Sequence, residues 1–272
     1  MTVITKISVG KKNKSRYNIF IDKGNGEEFG FSVGEDVLIK MNLKKGKELD
    51  ELDMIEIAFQ DDIQKAYSLS LLYLSHRMRS EYEVSKYLKE KEYGDHVIKE
   101  VIHKLYGHGY LNDLEFAEAL VRTRINSGDK GPVIIARELK EKGIKEDVAE
   151  RALDLYTTAR QLEHAAKHIQ KGTKQKAGSS MIEMKRKIEQ TLIRKGFPGS
   201  IIEEAMREAV IEKDEDAEWE SLVFQGEKAH RRYSKYTGYE YTNKMKGALY
   251  RKGFPIELID RFIEEKQTET GE

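Results

Sequence analysis

Two acidic residues and two histidines are the side chains whose spacing could support catalysis or metal binding. Asp61 and Asp62 are adjacent, as in carboxylate pairs that hold a metal for hydrolysis, but a long helical pattern begins beside them. At that place we expect an N-cap and a first-turn acid. His164 and His168 are four residues apart on a predicted helix, without an HExxH glutamate or an evident third ligand. We therefore predict a solvated or packing pair and no metal site.

Motifs for nucleophilic catalysis and phosphate binding are absent from the sequence. The 272 residues contain no cysteine, no GxSxG and no Walker loop. In GNGEEFG the glycines have the wrong offsets for a dinucleotide-binding loop, and the segment lies between predicted strands, which favours a hairpin turn. We expect a protein that is not an enzyme and needs no cofactor. An enzyme with an unrecognised carboxylate site is the most distant alternative.

Basic blocks interleaved with tyrosines are the best indication of a binding surface. Eight basic and two acidic residues lie between 171 and 196, and eight basic residues and one glutamate between 228 and 252, with an acidic block between them. Cations neutralise phosphates, and tyrosine rings can stack on unpaired bases. The alternative is a solvated basic helix whose tyrosines serve packing. The candidate binding residues are Arg77, Arg79, Arg122, Arg124, Lys130, Lys171, Lys174, Lys176, Lys185, Arg186, Lys187, Lys228, Arg231, Arg232, Tyr233, Lys235, Tyr236, Lys244, Lys246, Arg251 and Lys252.

An internal repeat must position these residues. LKEKEY at 88–93 returns as LKEKGI at 139–144, LIRKGF at 192–197 and LYRKGF at 249–254, with leucines 51, 53 and 57 residues apart. Apolar residues at helical spacing follow each copy, and a glycine ends the preceding helix in three of the four. The sequence therefore predicts four units of three short helices.

The N-terminal segment has a different period. Apolar residues alternate with polar ones in three runs, 3–9, 17–21 and 29–33, which predicts a β-meander. A short helix over 35–42 and a last strand over 54–59 complete this segment. The fold class is mainly α: an extended, right- or left-curved array of tandem three-helix repeats with a small β-rich N-terminal segment. The predicted domains are 1–60, 61–112, 113–157, 158–211 and 212–272.

Capping signals locate several helix starts. Ser80 with Glu83 and Ser180 with Glu183 match the capping box, in which two side chains satisfy free backbone amides. Asn112 or Asp113 is expected to cap the next helix. Pro132 fits a first turn, because its missing amide proton costs nothing there.

Three ordered segments resemble the signature region of the RecX family of recombinase regulators. They are RMRSEYEVSKYLKEKEY, GYLNDLEFAEALVRTRI and DKGPVIIARELKEKGI, between residues 77 and 144. The residues that carry the resemblance are Arg77, Ser80, Glu83, Leu88, Leu105, Gly109, Tyr110, Leu111, Asp113, Phe116, Ala117, Arg124, Gly131, Leu139, Gly143 and Ile144. The β-rich segment and the fourth unit resemble longer members from low-GC Gram-positive bacteria.

The resemblance implies a helical-repeat protein that binds the RecA recombinase filament on single-stranded DNA. It implies modulation of ATP hydrolysis, strand exchange and filament growth. We expect a monomer with RecA, single-stranded DNA and secondarily double-stranded DNA as partners, while a stand-alone DNA-binding module is the alternative. No apolar run approaches the roughly 20 residues that span a bilayer, and MTVITKISVG lacks a signal peptide's apolar core. The expected compartment is the cytoplasm.

Overall fold

An antiparallel sheet begins the chain in our computed structural model, which describes residues 2–11, 13–173, 178–209 and 215–270. Strands β1 (Thr2–Val9), β2 (Arg16–Asp22) and β3 (Glu27–Gly34) are followed by helix α1 (Glu35–Lys40) and strand β4 (Glu48–Leu49). The strand order is β3-β2-β1-β4. Its core contains Ile4, Ile19, Ile21, Val33, Val37, Leu43, Leu49 and Ile57. The predicted meander and short helix are confirmed.

The GNG segment is the turn of the β2–β3 hairpin, as predicted. Gly24 and Gly26 have φ angles of 101° and 102°, which a Cβ would disfavour. The Asp22 carboxylate accepts hydrogen bonds from both glycine amides, at 2.7 and 3.0 Å.

Two β-bulges change which side chains face the core. The predicted alternation in the first strand is wrong, because the register shifts between Ile4 and Lys6. Ile4 is therefore fully buried and Val9 is exposed. A second bulge lies in the β2–β3 pair, and there Phe29 lies opposite Phe20 and is largely exposed.

Helices form the rest of the described chain, in four three-helix repeats. Repeat 1 contains α2 (Glu51–Ser75), α3 (Glu81–Glu90) and α4 (Asp95–Gly107), and repeat 2 contains α5 (Asp113–Ser127), α6 (Pro132–Glu141) and α7 (Glu146–Leu153). Repeat 3 contains α8 (Thr158–Thr173), α9 (Met181–Lys195) and α10 (Gly199–Glu208). Repeat 4 contains α11 (Glu215–Tyr233), α12 (Gly238–Tyr250) and α13 (Ile256–Thr270).

The chain separates into two compact bodies. The first body comprises residues 1–118 and 139–149, and the second comprises 119–138 and 150–272. In repeats 1, 3 and 4 the predicted apolar stripes lie in the repeat cores. The best-buried members are Leu88, Val101 and Leu105 in repeat 1, Ile188, Leu192 and Ile202 in repeat 3, and Met245, Leu249 and Ile259 in repeat 4.

The strand predicted over 54–59 is wrong, because α2 already begins at Glu51. Asp50 is its N-cap and accepts from the Asp53 amide at 2.7 Å, while the Asp53 carboxylate accepts from the Asp50 amide at 3.1 Å. This capping box satisfies free amides at the helix start, so residues 54–59 continue in helical phase. The predicted domain limit at residue 60 falls inside α2.

Asp61 lies within α2, so its assignment as an N-cap is also wrong. Its carboxylate is 4% exposed and pairs with Arg16 of β2 at 2.8 Å and with Lys65 at 2.9 Å. It also accepts from the Gly34 amide at 3.0 Å. Burial tends to raise the pKa of Asp61, but the hydrogen bonds from Arg16, Lys65 and Gly34 outweigh it and lower the pKa. Asp61 thus ties the sheet to repeat 1 within the first body.

The N-terminus of α3 is the place where repeat 1 contacts the first-body part of repeat 2. Ser80 caps α3 and donates its hydroxyl to the Lys142 carbonyl at 2.7 Å. The Glu81 amide donates to the Asp113 carboxylate at 2.8 Å. Helix ends leave free amides at one terminus and free carbonyls at the other. This contact satisfies a group of each kind: the Lys142 carbonyl, at the end of the LKEK segment of residues 139–142, and the Glu81 amide at the start of α3.

The same contact recurs twice in the second body. Ser180 caps α9 and donates to the Lys252 carbonyl, while the Met181 amide donates to the Glu218 carboxylate at 3.1 and 3.2 Å. Before α6, the Gly131 amide donates directly to the Lys195 carbonyl at 2.8 Å. We call these three contacts the junctions.

Each junction requires a glycine after its lysine. Gly143, Gly196 and Gly253 have φ angles of 73°, 82° and 83°. A Cβ on them would lie 2.3 Å from the Tyr82 Cβ, 2.5 Å from Ile134 and 2.9 Å from the Ser180 Oγ. In the first copy Glu92 takes the same conformation, with φ of 64°, and it is exposed. All four copies of the motif therefore share the left-handed backbone conformation. Only the three copies that form junctions place this residue close to a neighbouring segment.

Replacing Asp61 with Asn should destabilise the protein by about 3 kcal/mol, because the buried carboxylate loses its charge-assisted hydrogen bonds with Arg16 and Lys65. The loss should appear in urea unfolding near neutral pH. A lowered folded pKa stabilises the fold above the unfolded value of 3.8, and that stabilisation is lost as the pH falls through the folded pKa. The difference between the proteins should therefore shrink in acid. Asp62→Asn is the control, since its surface pair with Lys65 is worth under about 1 kcal/mol; equal effects of the two changes would contradict this role for Asp61.

Gly253→Ala should destabilise the second body by about 2 kcal/mol or more, through the left-handed φ and the crowding against Ser180. Glu92→Gly should stabilise the protein by about 1 kcal/mol, because it relieves the same φ without creating a contact. Thermal and urea unfolding measure both changes. A stabilising Gly253→Ala would show that the junction is not closely packed.

Candidate functional site

Both predicted binding residues of the first body, Arg77 and Arg79, are engaged near the start of α3. Arg77 pairs with Glu83 at 2.8 Å, and Lys142 pairs with the same carboxylate at 2.9 Å. Burial tends to raise the pKa of Glu83, but Arg77 and Lys142 lower it to about 2. Arg79 stacks on Tyr73 at 3.5 Å and donates to its carbonyl. Glu83 thus binds cations instead of completing the capping box.

The basic residues before α6 share another carboxylate in the second body. Arg124 pairs with Glu138 at 2.7 Å, and Lys130 pairs with the same side chain. Burial tends to raise the pKa of Glu138, and these two cations lower it. Arg124 and Lys130 therefore stabilise repeat 2 and offer less charge to a ligand than their sequence suggests.

Three further predicted cations have acidic partners in repeats 3 and 4. Lys187 pairs with Glu183, Lys246 pairs with Asp260 at 2.7 Å, and Lys244 lies 3.5 Å from Glu240. Lys187 holds the pKa of the Glu183 carboxyl below its usual range. Arg122 lies on the exposed side of α5, and Lys174 and Lys176 lie outside the described residues.

Nine predicted cations are exposed and have no carboxylate partner among the described residues. Lys171, Lys185 and Arg186 belong to repeat 3, while Arg231 and Arg251 donate only to carbonyls of their own helices. The full set is Lys171, Lys185, Arg186, Lys228, Arg231, Arg232, Lys235, Arg251 and Lys252. All nine lie in the second body, so the predicted cations that are available to a phosphate or an acidic side chain are concentrated there.

The end of α11 carries the most concentrated part of this set. Arg231 and Arg232 follow Lys228 by three and four residues, which places the three cations on one side of the helix end, and Lys235 follows two residues after α11 ends. Glu215, Asp216 and Glu218 lie in the first turn of the same helix. Acids at a helix start and cations at its end both stabilise the helix dipole. The alternating charge blocks of the sequence thus have a structural cause as well as a possible binding role.

The tyrosines of repeat 4 divide into packing and exposed residues. Tyr233 and Tyr236 pack against the repeat core, and Tyr241 is buried with its hydroxyl 2.7 Å from the His230 Nδ1. Lys244 lies 4.3 Å from the Tyr236 ring centre and Arg232 5.6 Å from that of Tyr233. These three tyrosines therefore serve packing, which is the alternative given for them in the sequence-based prediction.

Three exposed rings were absent from the predicted set. Tyr239 is 83% exposed and Tyr250 is 66% exposed, and Phe224 lies 3.9 Å below the Lys228 ammonium with half of its surface in solvent. Tyr250 occupies the second position of the LYRKGF copy, where the other complete copies have Lys140 and Ile193. The variation at this motif position was the sequence signal that could have indicated an exposed Tyr250.

His164 and His168 are packing residues, as one of the two predicted alternatives stated. The His164 Nδ1 lies 2.7 Å from the Tyr156 hydroxyl, and the His168 Nε2 lies 3.0 Å from the Gly128 carbonyl. Burial lowers the pKa of both imidazoles, which favours their neutral forms. Across residues 2–11, 13–173, 178–209 and 215–270, no group of three metal-ligating side chains occurs. No helix within these ranges has the length and apolarity needed to cross a membrane.

Protein-family comparisons match nearly the whole chain. Residues 2–50 match the regulatory protein RecX N-terminal domain, 66–105 match the first RecX three-helix domain, and 112–153 match the second. The third RecX three-helix domain matches twice, at 159–206 and 216–263. The fourth repeat therefore resembles a second copy of the third.

Full-length relatives and solved structures agree with these matches. The regulatory protein RecX of Bacillus velezensis is 47% identical over 98% of this chain and 100% of its own length. That of Bacillus cytotoxicus is 45% identical over 98% of both chains. A crystal structure of regulatory protein RecX has a TM-score of 0.67 and 38% identity, covering 76% of this chain and 100% of its own. RecX from Lactobacillus salivarius has a TM-score of 0.53 at 38% identity, covering 55% and 97%.

Charge reversal at Lys228 and Arg232 should weaken binding of labelled oligo(dT) by about tenfold and reduce the salt dependence of the affinity, because fewer phosphates are neutralised. Fluorescence anisotropy across a salt series measures both quantities. The control is Lys86→Glu with Lys99→Glu, which gives the same change in net charge at exposed positions of repeat 1. Equal losses in the two variants would indicate a nonspecific charge effect.

Proposed function

The chain belongs to the RecX family of regulatory proteins, and from this membership we propose that it binds the RecA filament on single-stranded DNA and modulates its activity. The modulated steps are ATP hydrolysis, strand exchange and filament assembly. The observation that carries the proposal is the match of the RecX domains in order along the chain, together with relatives of nearly equal length.

The proposed regulator acts by binding and not by catalysis. The two carboxylates with catalytic potential form ion pairs, Asp61 with Arg16 and Lys65 and Asp62 with Lys65, which gives them structural roles. His164 and His168 are likewise engaged in packing. Binding alone can regulate a filament when the bound protein hinders subunit exchange or the entry of a second DNA.

The exposed cations of the second body supply the proposed contact surface. Repeat 3 contributes Lys171, Lys185 and Arg186, and repeat 4 contributes the end of α11 together with Arg251 and Lys252. Contacts that are weak individually give high overall affinity when they are linked and reach adjacent sites. A filament offers many equivalent subunits, so this arrangement suits it. We propose protein as the main partner, DNA as the second, and a monomeric cytoplasmic regulator.

A stand-alone DNA-binding module is the second candidate, and exposed tyrosines favour it. Tyr239 and Tyr250 present ring surface to solvent in the repeat that also contains the exposed cations Arg251 and Lys252. Stacking of bases on such rings beside cations is how many proteins bind single strands without sequence preference. The two candidates differ in whether the recombinase is needed.

DNA-dependent ATP hydrolysis by the cognate RecA filament should fall when the protein is added in amounts far below saturation of the DNA. The reason is that bound regulator hinders subunit exchange on the filament. The combined variant Lys228→Glu, Arg231→Glu, Arg232→Glu and Lys235→Glu should require more protein for the same effect. Steady-state ATP turnover in a titration measures this. The matched charge control reverses four exposed lysines of the first body, Lys44→Glu, Lys45→Glu, Lys86→Glu and Lys99→Glu.

Unchanged ATP turnover together with tight binding to bare DNA would support the second candidate. Unchanged turnover without DNA binding would contradict both candidates. Circular dichroism and the unfolding midpoint of each variant confirm that a loss of effect is not a loss of structure.

A further inference from the structure

A groove at the junction of repeats 3 and 4 is lined by exposed apolar side chains that neither folding nor phosphate binding requires. It has a volume of about 690 Å³ and lies where the N-terminus of α9 meets the end of α12. Its walls include Ile182, Arg186, Tyr250, Arg251, Lys252 and Ile256. We call it the junction groove, and all of its residues belong to the second body.

The apolar walls of the junction groove face solvent. Ile182 is 65% exposed, Tyr250 is 66% exposed, and Ile256 is also exposed. Their neighbours Met184, Leu249 and Phe254 supply the buried core of these helices. Exposed aliphatic and aromatic side chains grouped around a concavity are typical of a surface that another molecule covers.

Exposed apolar residues at these positions also occur at the preceding junction of the second body. Val133 follows Gly131 by two residues, as Ile182 follows Ser180, and Ile193 occupies the motif position of Tyr250. Both Val133 and Ile193 are more than half exposed. The junction hydrogen bonds themselves involve backbone groups and the Ser180 hydroxyl. Closing the junction therefore does not require these apolar side chains.

The charge of the junction groove is positive. Arg186, Arg251 and Lys252 line it, and none has a carboxylate partner among the described residues. The acid in the lining is Glu183, which already pairs with Lys187. An occupant that contributes carboxylates would pair with the three cations, whereas a basic occupant would be repelled.

The geometry points to an acidic peptide segment with an aliphatic or aromatic anchor as the occupant of the junction groove. The anchor lies between Ile182, Tyr250 and Ile256, and its flanking carboxylates meet Arg186, Arg251 and Lys252. A buried anchor surrounded by charged contacts is the usual source of affinity in such sites. A nucleic acid fits less well, because Ile182, Pro255 and Ile256 are not planar and would desolvate the polar edges of a base. Arg186, Arg251 and Lys252 also belong to the proposed contact surface, so this proposal adds a peptide site to that surface, and peptide binding can be measured without DNA or a recombinase.

A set of short synthetic peptides tests the proposal with the full-length protein. Each fluorescent peptide has a central Leu, Phe or Ser and either glutamates or glutamines on both sides. We expect saturable binding only when an apolar centre and flanking glutamates occur together. Fluorescence anisotropy measures the affinity, and unlabelled oligo(dT) is added as a competitor.

Variants of the protein locate the binding. Ile182→Ser with Tyr250→Ser should weaken peptide binding by about tenfold, as expected when hot-spot contacts are truncated. Arg186→Gln with Arg251→Gln should remove the preference for glutamate over glutamine. The control, Lys86→Gln with Ile55→Ser, makes changes of the same kind at exposed positions of repeat 1, outside the groove lining, and should leave binding intact. All these positions are exposed, so the fold should persist.

Three outcomes would overturn the proposal. They are an absence of binding by every peptide, equal binding of serine-centred peptides, and equal losses in the groove and control variants. Binding of oligo(dT) that is lost in the groove variants but not in the control would assign the groove to nucleic acid instead. The ATP turnover assay is separate, so either result can fail without the other.

Discussion

The contact between the end of one helix and the start of another is the interaction on which the repeat architecture depends. An α-helix leaves amides without partners at its start and carbonyls without partners at its end. At two junctions a serine hydroxyl bridges these groups: Ser80 and Ser180 donate to the Lys142 and Lys252 carbonyls and accept from the amides of Glu83 and Glu183. At the third, the Gly131 amide donates directly to the Lys195 carbonyl. The oppositely charged ends of the helix dipoles also meet there. One kind of polar contact thereby connects successive repeats.

The junction explains why the sequence repeat is visible at all. Leu139, Leu192 and Leu249 are buried in helical packing, while the lysine supplies a carbonyl and the glycine permits a close approach. Glu92 takes the place of glycine in the first copy, and its segment forms none of the three junctions. Because no close contact occurs there, the residue needs only to adopt a left-handed φ. That conformation costs a residue other than glycine about 1 kcal/mol. The motif therefore records a packing requirement, and the exposed residues between its fixed positions are free to vary.

Much of the fold could be predicted because helical period, caps and glycines are local signals. Ser80, Ser180 and Pro132 begin helices as expected, and the stripe after each motif is buried. The strand over 54–59 was wrong because the local capping box of Asp50 and Asp53 was missed, whereas other failures involve partners that are distant along the chain. Asp61 resembled a helix cap, yet its environment comes from Arg16 and Gly34 on two strands. A bulge also changed which residues of β1 face inward, and its cause lies in pairing with β2.

The candidate site was predicted less well, since a cation's availability depends on which carboxylate reaches it. Arg77 and Arg232 are the same residue type in similarly basic stretches, but Glu83 binds the first and no described carboxylate binds the second. Tyrosines behave in the same way: Tyr241 is buried beside His230, and Tyr250 faces solvent one motif position after a buried leucine. In both cases the junctions and repeat cores fix one subset of residues and leave the other for partners. Binding residues in such a protein are therefore sought among the exposed cations and rings that neither the junctions nor the repeat cores engage. Composition alone does not identify these residues.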